Sequence, residues 1–196
     1  MKFKLENPQH QITAINSVVE IFRGMEKNTY DNAHVDDIHS NLCSLSQQDL
    51  MDNIKRVIAE NKVPDSQSCI IDSNDACIEM ETGTGKTLTY IQTAYELYRT
   101  YGLTKFIVLV PSIPIRQGVI DTFENFKEQL EDKYETQAHA FVYDSSKLSK
   151  LRDFITLDNL QIMVMTMASF NSEDKILNQV EREGLFNNES YLKGKL

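Results

Sequence analysis

The most constraining stretch of the chain is Met80–Thr87, METGTGKT, set between a short apolar run and a helical pattern. Gly83 and Gly85 let the backbone curl so that successive amide N–H groups turn toward one point. A helix opening there adds its positive end. Such a concavity takes a phosphate. Lys86 would set an ammonium against the β- and γ-phosphates, and Thr87 would offer a hydroxyl to Mg²⁺. The full pattern begins with glycine, and here Met80 stands in that place. The competing reading is a glycine turn that caps a helix, with Lys86 merely solvated; the strand-to-helix context speaks for the phosphate loop.

The surrounding pattern supplies that context. Ile12, Ile15, Val18, Val19 and Phe22 fall on one face of a helix from about Gln9 to Arg23, and Gly24 stops it. Periodicity is lost from Met25 to Leu45. Ser46 with Asp49 forms a capping-box pair that opens a second helix, with Leu50, Met51, Ile54, Val57 and Ile58 on its apolar face and Pro64 beyond its end. Cys69–Ile71 and Ala76–Met80 read as short strands around the turn Asp72–Asp75. A helix from about Gly85 to Thr100 should bury Leu88, Ile91, Ala94 or Tyr95, and Tyr98. Strands Phe106–Val110, Ala140–Tyr143 and Ile162–Met165 follow, separated by helices at Ile115–Leu130 and Leu148–Ile155, and Ser172 caps a last helix to about Glu181. This alternation predicts an α/β fold: a parallel sheet with helices on both faces. Residues 1–68 form a helical lead-in, and 69–196 a P-loop domain.

Composition narrows the partners. Lys and Arg number 20 against 29 Asp and Glu, a net charge of −9, which excludes a broad basic surface for nucleic acid. Contacts through amides and hydroxyls remain open. Cys43, Cys69 and Cys77 lack CxxC spacing and are expected to be small buried thiols in a reducing compartment. His10, His34, His39 and His139 are scattered and are expected to be solvated or capping. The longest aliphatic run, Phe106–Val110, is far below a membrane span, so a cytoplasmic protein without membrane contact is expected.

METGTGKT, with Met in first place, resembles motif I of superfamily 2 helicases and especially the Res subunit of type III restriction enzymes. KFIVLVPSIPIRQGVIDTF resembles that family's motif Ia: a buried strand, Pro-Ser, then a helix. FVYDSSKLSKLRDF and IMVMTMASFN are similar to the block that follows, and QHQITAINSVVEIF to the helix that precedes motif I. The resemblance implies a RecA-like ATPase domain that uses ATP and Mg²⁺. It assigns nucleotide contacts to Thr82, Gly83, Thr84, Gly85, Lys86 and Thr87, with Lys86 as the catalytic cation and Thr87 as the metal ligand. It gives adenine to Gln11, although Gln9 competes for that role. It gives DNA phosphates to Ser112 and Thr166, where neutral groups position a strand without reading it. Ser112 could equally cap the following helix. Arg116 and Lys105 are candidates for steering phosphates, whereas Lys147, Lys150 and Arg152 read as surface and Met163 and Met165 as core. The implied partners are double-stranded DNA and a DNA methyltransferase (Mod) subunit.

One expected motif is missing. Such ATPases carry Asp-Glu at a strand end to hold Mg²⁺ and orient water; Ser172-Glu173-Asp174 and Glu181-Arg182-Glu183 lie in polar helical sequence instead. The chain is therefore expected to be the N-terminal part of a longer enzyme. It should bind nucleotide without hydrolysing it, and an apolar slot left open in its sheet favours self-association. Two other readings stand beside this one: part of another superfamily 2 helicase or type I restriction motor, and a non-catalytic nucleotide-binding module.

Overall fold

Three parallel strands carry the centre of the molecule: β1 (Lys105–Val110), β2 (Ala138–Val142) and β3 (Leu160–Thr166), in spatial order β1-β3-β2. The computed structural model describes residues 5–6, 8–29, 39–63 and 75–170. Val164 of β3 pairs with Val108 on one side and Val142 on the other. A strand flanked by neighbours and covered on both faces must be apolar throughout, and every residue of β3 is buried.

Alternate residues feed two cores. Leu160, Ile162 and Val164 meet Ile91, Ala94 and Tyr95 of α3 (Lys86–Tyr101) and Val119, Phe123 and Leu130 of α4 (Ile113–Tyr134). On the opposite face Met163 and Met165 pack with Phe154, Leu151 and Ile155 of α5 (Leu148–Thr156) and with Phe141. Helices thus cover both faces, and the two methionines are core. A four-residue helix, α6 (Met167–Phe170), follows β3.

The lead-in is not a separate body. Helix α1 (Gln9–Ile21) packs along α3, with Val18, Val19 and Phe22 against Leu97, Tyr101 and Met25. Helix α2 (Gln47–Glu60) starts at the predicted capping box: Ser46 Oγ accepts from Asp49 N, and the Asp49 carboxylate accepts from Ser46 N. Asn53 Nδ2 then donates to the carbonyls of Ile21 and Arg23, closing the end of α1. At the far end of α3, Gly102 has φ +67°, and a Cβ there would lie 2.4 Å from the Asn28 carbonyl oxygen. That close approach lets Asn28 N and Nδ2 both donate to Tyr101 O.

Several expectations are corrected. Ala76–Met80 is not a strand: it is largely exposed and outside the sheet. A five-residue run acquires strand geometry only with a ladder partner, and among the described residues this one has none. Cys43 and Cys77 are exposed rather than buried. His39 is buried, its backbone N–H bonded to Ile155 O. The expected elements at Cys69–Ile71 and Ser172–Glu181, with Cys69 and His34, lie outside the described residues. Among the described residues no helix is long and apolar enough to cross a membrane.

Lys105 sits at the foot of β1, at the opposite end of the strand from Ser112. Its ammonium donates to Leu157 O and lies 5.9 Å from the Phe154 ring centroid. Burial pulls it down to about 8, partly offset by Asp158. It is a structural cation and cannot steer phosphates beside Ser112. Because its folded value lies below the unfolded 10.5, the unfolded chain binds the extra proton between these values. The group's stability contribution is therefore present above 10.5 and lost as pH falls through about 8. Thermal unfolding of the parent and Lys105→Met should show the parent gaining on the variant as pH rises through this window. A pH-independent difference between them would contradict the assignment.

Candidate functional site

The loop before α3 has the conformation its glycines permit. Gly83 and Gly85 adopt φ +82° and +83°, the left-handed region that favours glycine. Thr84 N and Oγ1 both donate to Glu81 O, which closes the turn. Gly85 is the N-cap of α3 and supplies no side-chain cap, so the first amides of the helix stay available to an anion. Lys86 curls back into the loop: Nζ donates to Met80 O at 2.8 Å and to Glu81 O at 2.7 Å. Its ammonium is thus held by carbonyls that an incoming phosphate could replace. Thr87 hydrogen-bonds Tyr90, whose phenol is raised by burial and drawn partly back by that bond.

Helix α1 reaches the same loop. Gln11 is 6% exposed, and its Nε2 donates to Thr84 O at 2.9 Å. Its Oε1 is buried with no partner among the described residues. Gln9 is exposed and bonds Thr13 of its own helix, so of the two glutamines only Gln11 meets the loop. His10 joins it, with Nε2 3.1 Å from Thr84 O. Sequence reasoning missed His10; its one signal was its place beside Gln11.

The strand ends form a second group. Ser112 is the N-cap of α4, but its side chain makes no cap hydrogen bond, which leaves the hydroxyl unspent. Arg116, one turn on, is half-buried with Nε unpartnered among the described residues. Thr166 is only 5% exposed. Its Oγ1 accepts from Ser169 N and shares a hydrogen bond with Ser169 Oγ, so Ser169, which the sequence reading overlooked, is the more accessible hydroxyl. Leu109, Ile113, Ile115 and Met167 are exposed beside these groups. Lys147 and Lys150 lie at the far edge, beyond β2, where Lys147 pairs with Asp144 at 3.4 Å.

Among the described residues no pair of carboxylates stands at the carboxyl end of a strand. The one acid just past a strand's carboxyl end among the described residues is Asp144, beyond β2, the strand farthest from β1. Hydrogen bonds from Ser146 hold its carboxyl below the usual range, with Lys147 adding to the effect. Among the described residues no three His, Cys, Asp or Glu group into a metal site.

Comparison with known proteins bears on this. A family model described as "Type III restriction enzyme, res subunit" matches residues 4–192. The chain is 30% identical over 206 residues to the type III restriction-modification enzyme EcoP15I Res subunit of Escherichia coli, covering 95% of this chain and 21% of that protein. It is 28% identical over 204 residues to the EcoPI Res subunit of Escherichia phage P1, covering 93% of this chain and 20% of that one. A third relative, the StyLTI Res subunit of Salmonella typhimurium, is 30% identical over 118 residues, 60% of this chain and 9% of its own length. The chain thus spans about a fifth of the length of the first two curated relatives.

Gly85 is the most sensitive point of the site. A Cβ there would lie 2.4 Å from Gln11 Nε2, on a backbone already at positive φ. Gly85→Ala should cost about 1–2 kcal/mol from the left-handed conformation alone and should detach Gln11 from the loop. Thermal unfolding measures the first effect, and protease protection of α1 the second. A variant as stable as the parent would show that the loop does not need this conformation.

Proposed function

Because the chain belongs to the family of type III restriction enzyme Res subunits, we propose that it forms the ATP-binding part of the ATP-dependent DNA translocase and endonuclease subunit of such an enzyme. The observation that carries this reading is Gln11. A buried carbonyl oxygen without a donor is costly, and an adenine amino group would supply one beside the loop that takes the phosphates. Guanine presents an acceptor at that position and would leave Oε1 unpaired. Lys86 and the first amides of α3 hold the β- and γ-phosphates, with Gly83 and Gly85 giving the backbone its curl. Thr82 and Thr84 complete the cradle.

Mg²⁺ fits this donor set. The ion keeps several waters and takes phosphate oxygens readily, so one hydroxyl from Thr87 suffices on the protein side. Bound with the nucleotide, it supplies charge neutralisation. The chain's own contribution is binding and orientation. Asp144, engaged by Ser146 on the far edge strand, is not placed to orient a water, which supports nucleotide binding without hydrolysis by these residues.

Duplex DNA is assigned to the strand ends. The unspent Ser112 hydroxyl, the Thr166–Ser169 pair and Arg116 offer neutral donors and one cation to phosphates. Such contacts position a strand without reading its sequence. Sequence recognition then falls to a Mod methyltransferase partner, and the whole assembly works in the cytoplasm where its DNA is.

Calorimetric titration of the parent with Mg-ATP and Mg-GTP should show saturable binding with ATP preferred. Lys86→Ala should weaken ATP binding by about tenfold or more, equivalent to ~1.4 kcal/mol. Gln11→Ala should narrow the preference for ATP while leaving phosphate affinity nearly intact. A folded chain that binds neither nucleotide, or a Gln11→Ala chain with undiminished preference, contradicts the proposal.

A further inference from the structure

Among the described residues strand β2 ends the sheet, and its outer edge has no neighbouring strand. Tyr143 N donates to Val164 O, so His139, Phe141 and Tyr143 turn their backbone groups toward β3. By the alternation of a strand, Ala138, Ala140 and Val142 turn theirs outward. The Ala138 N–H is already taken by Glu131 Oε1. Ala140 and Val142 remain, presenting two donors and two acceptors for which the sheet supplies no partner. A groove of ≈ 310 Å³ lies along them, lined by Ile120, Phe141, Asp144, Lys147 and Lys150. Unpaired edges of this kind are natural templates for another strand.

We propose that this edge receives a second copy of the chain, β2 against β2, antiparallel and centred on Phe141, giving a continuous six-stranded sheet. The register is self-complementary. Ala140 of each copy faces Val142 of the other, and outward-facing residues set opposite one another exchange both hydrogen bonds. All four free groups of each edge are thereby paired. Phe141, half-buried and edge-on to Phe154 at 5.8 Å, meets its own copy across the two-fold axis, an aromatic cross-strand pair.

Charge agrees with this arrangement. The carboxyl end of the edge carries Lys147 and Lys150 against the single acid Asp144, which Lys147 pairs, and the amino end carries Glu131 and the exposed Glu135. Antiparallel docking sets the lysines of one copy toward the acids of the other, twice over. Helix α4 lies over β2 and β3. With strands spaced about 4.8 Å, the two copies of α4 come to about 10 Å, a normal helix-packing distance. The inference is independent of the nucleotide reading.

Sedimentation of the 196-residue chain over a range of concentrations tests it. The parent should double its 22.5 kDa mass as concentration rises. Val142→Pro removes an outward N–H, a change edge strands tolerate, and should remain a monomer with the parent's circular dichroism. Lys147→Glu combined with Lys150→Glu should weaken the dimer at least tenfold and reduce its salt dependence. A parent that stays monomeric overturns the proposal. So does a dimer that persists in Val142→Pro. If Val142→Pro does not fold, the charge-reversed double variant decides, and undiminished dimerisation there also overturns it. If the parent is monomeric and the double variant only loses affinity for a DNA duplex, the lysines serve phosphate rather than a second copy.

Discussion

Helix α3 is held at both ends by the lead-in, and the shape of the glycine loop before it depends on that. At its start Gln11 donates to Thr84 O beside Gly85; at its end Asn28 donates to Tyr101 O beside Gly102. Both glycines have positive φ, and at both a Cβ would collide with the residue that makes the tie. The logic is the same each time: a left-handed residue turns a carbonyl outward, and a side-chain amide from the lead-in claims it. Each tie also spans 73 residues, so neither forms until distant parts of the chain are together. The loop's shape is therefore a tertiary property. Whatever binds the loop in this shape stabilises the docking of α1, by the ordinary linkage between binding and folding.

What was legible in the sequence follows from this division between local and tertiary causes. The Ser46–Asp49 capping box was readable because everything it needs lies within four residues. Strands β1 and β3 were readable because continuous apolar character has few other uses. The number of neighbours each strand has was not readable: β1 is as apolar as β3, yet among the described residues it has a neighbour on one side only, and Leu109 is 41% exposed. Ala76–Met80 failed for the converse reason: its composition is strand-like, but among the described residues it has no ladder partner and is largely exposed. In α1 the apolar face suggested Ile12 inside, but Gln11, Ala14 and Ile15 are the buried residues. The Gln11 bond to Thr84 rotates the helix in a way no periodicity shows. Thr166 is a milder case. Its hydroxyl is spent on Ser169 three residues along, a local alternative that a family motif does not display.

The net charge of −9 is less of an obstacle to anion binding than it first seems. The groups proposed for the two sites carry no formal charge or only one: amides at the start of α3, the Ser112 hydroxyl, the Ser169 hydroxyl, and the single cations Lys86 and Arg116. Binding through oriented dipoles displaces few counterions, so such contacts depend weakly on salt. The protein can stay acidic elsewhere, on the outer faces of α2 and α4. The exposed apolar residues near Ser112 belong to the same economy, because they leave the polar groups around them without competing charges.

Lys86 joins these observations. In the free loop its ammonium is not waiting in solvent; Met80 O and Glu81 O hold it from the side by which the chain enters. The approach segment, lacking a ladder, is therefore anchored to the loop by one charge. A phosphate competes for that charge with two carbonyls, and what it gains is reduced by what they lose. Were the ammonium to move to a phosphate, Met80 O would need another partner, whereas Glu81 O would keep its bonds from Thr84 N and Oγ1. A strand neighbour would provide one. On the proposed reading, the position of Lys86 and the pairing of Ala76–Met80 are thus coupled: a neighbour that paired with Met80 would free the ammonium for a phosphate.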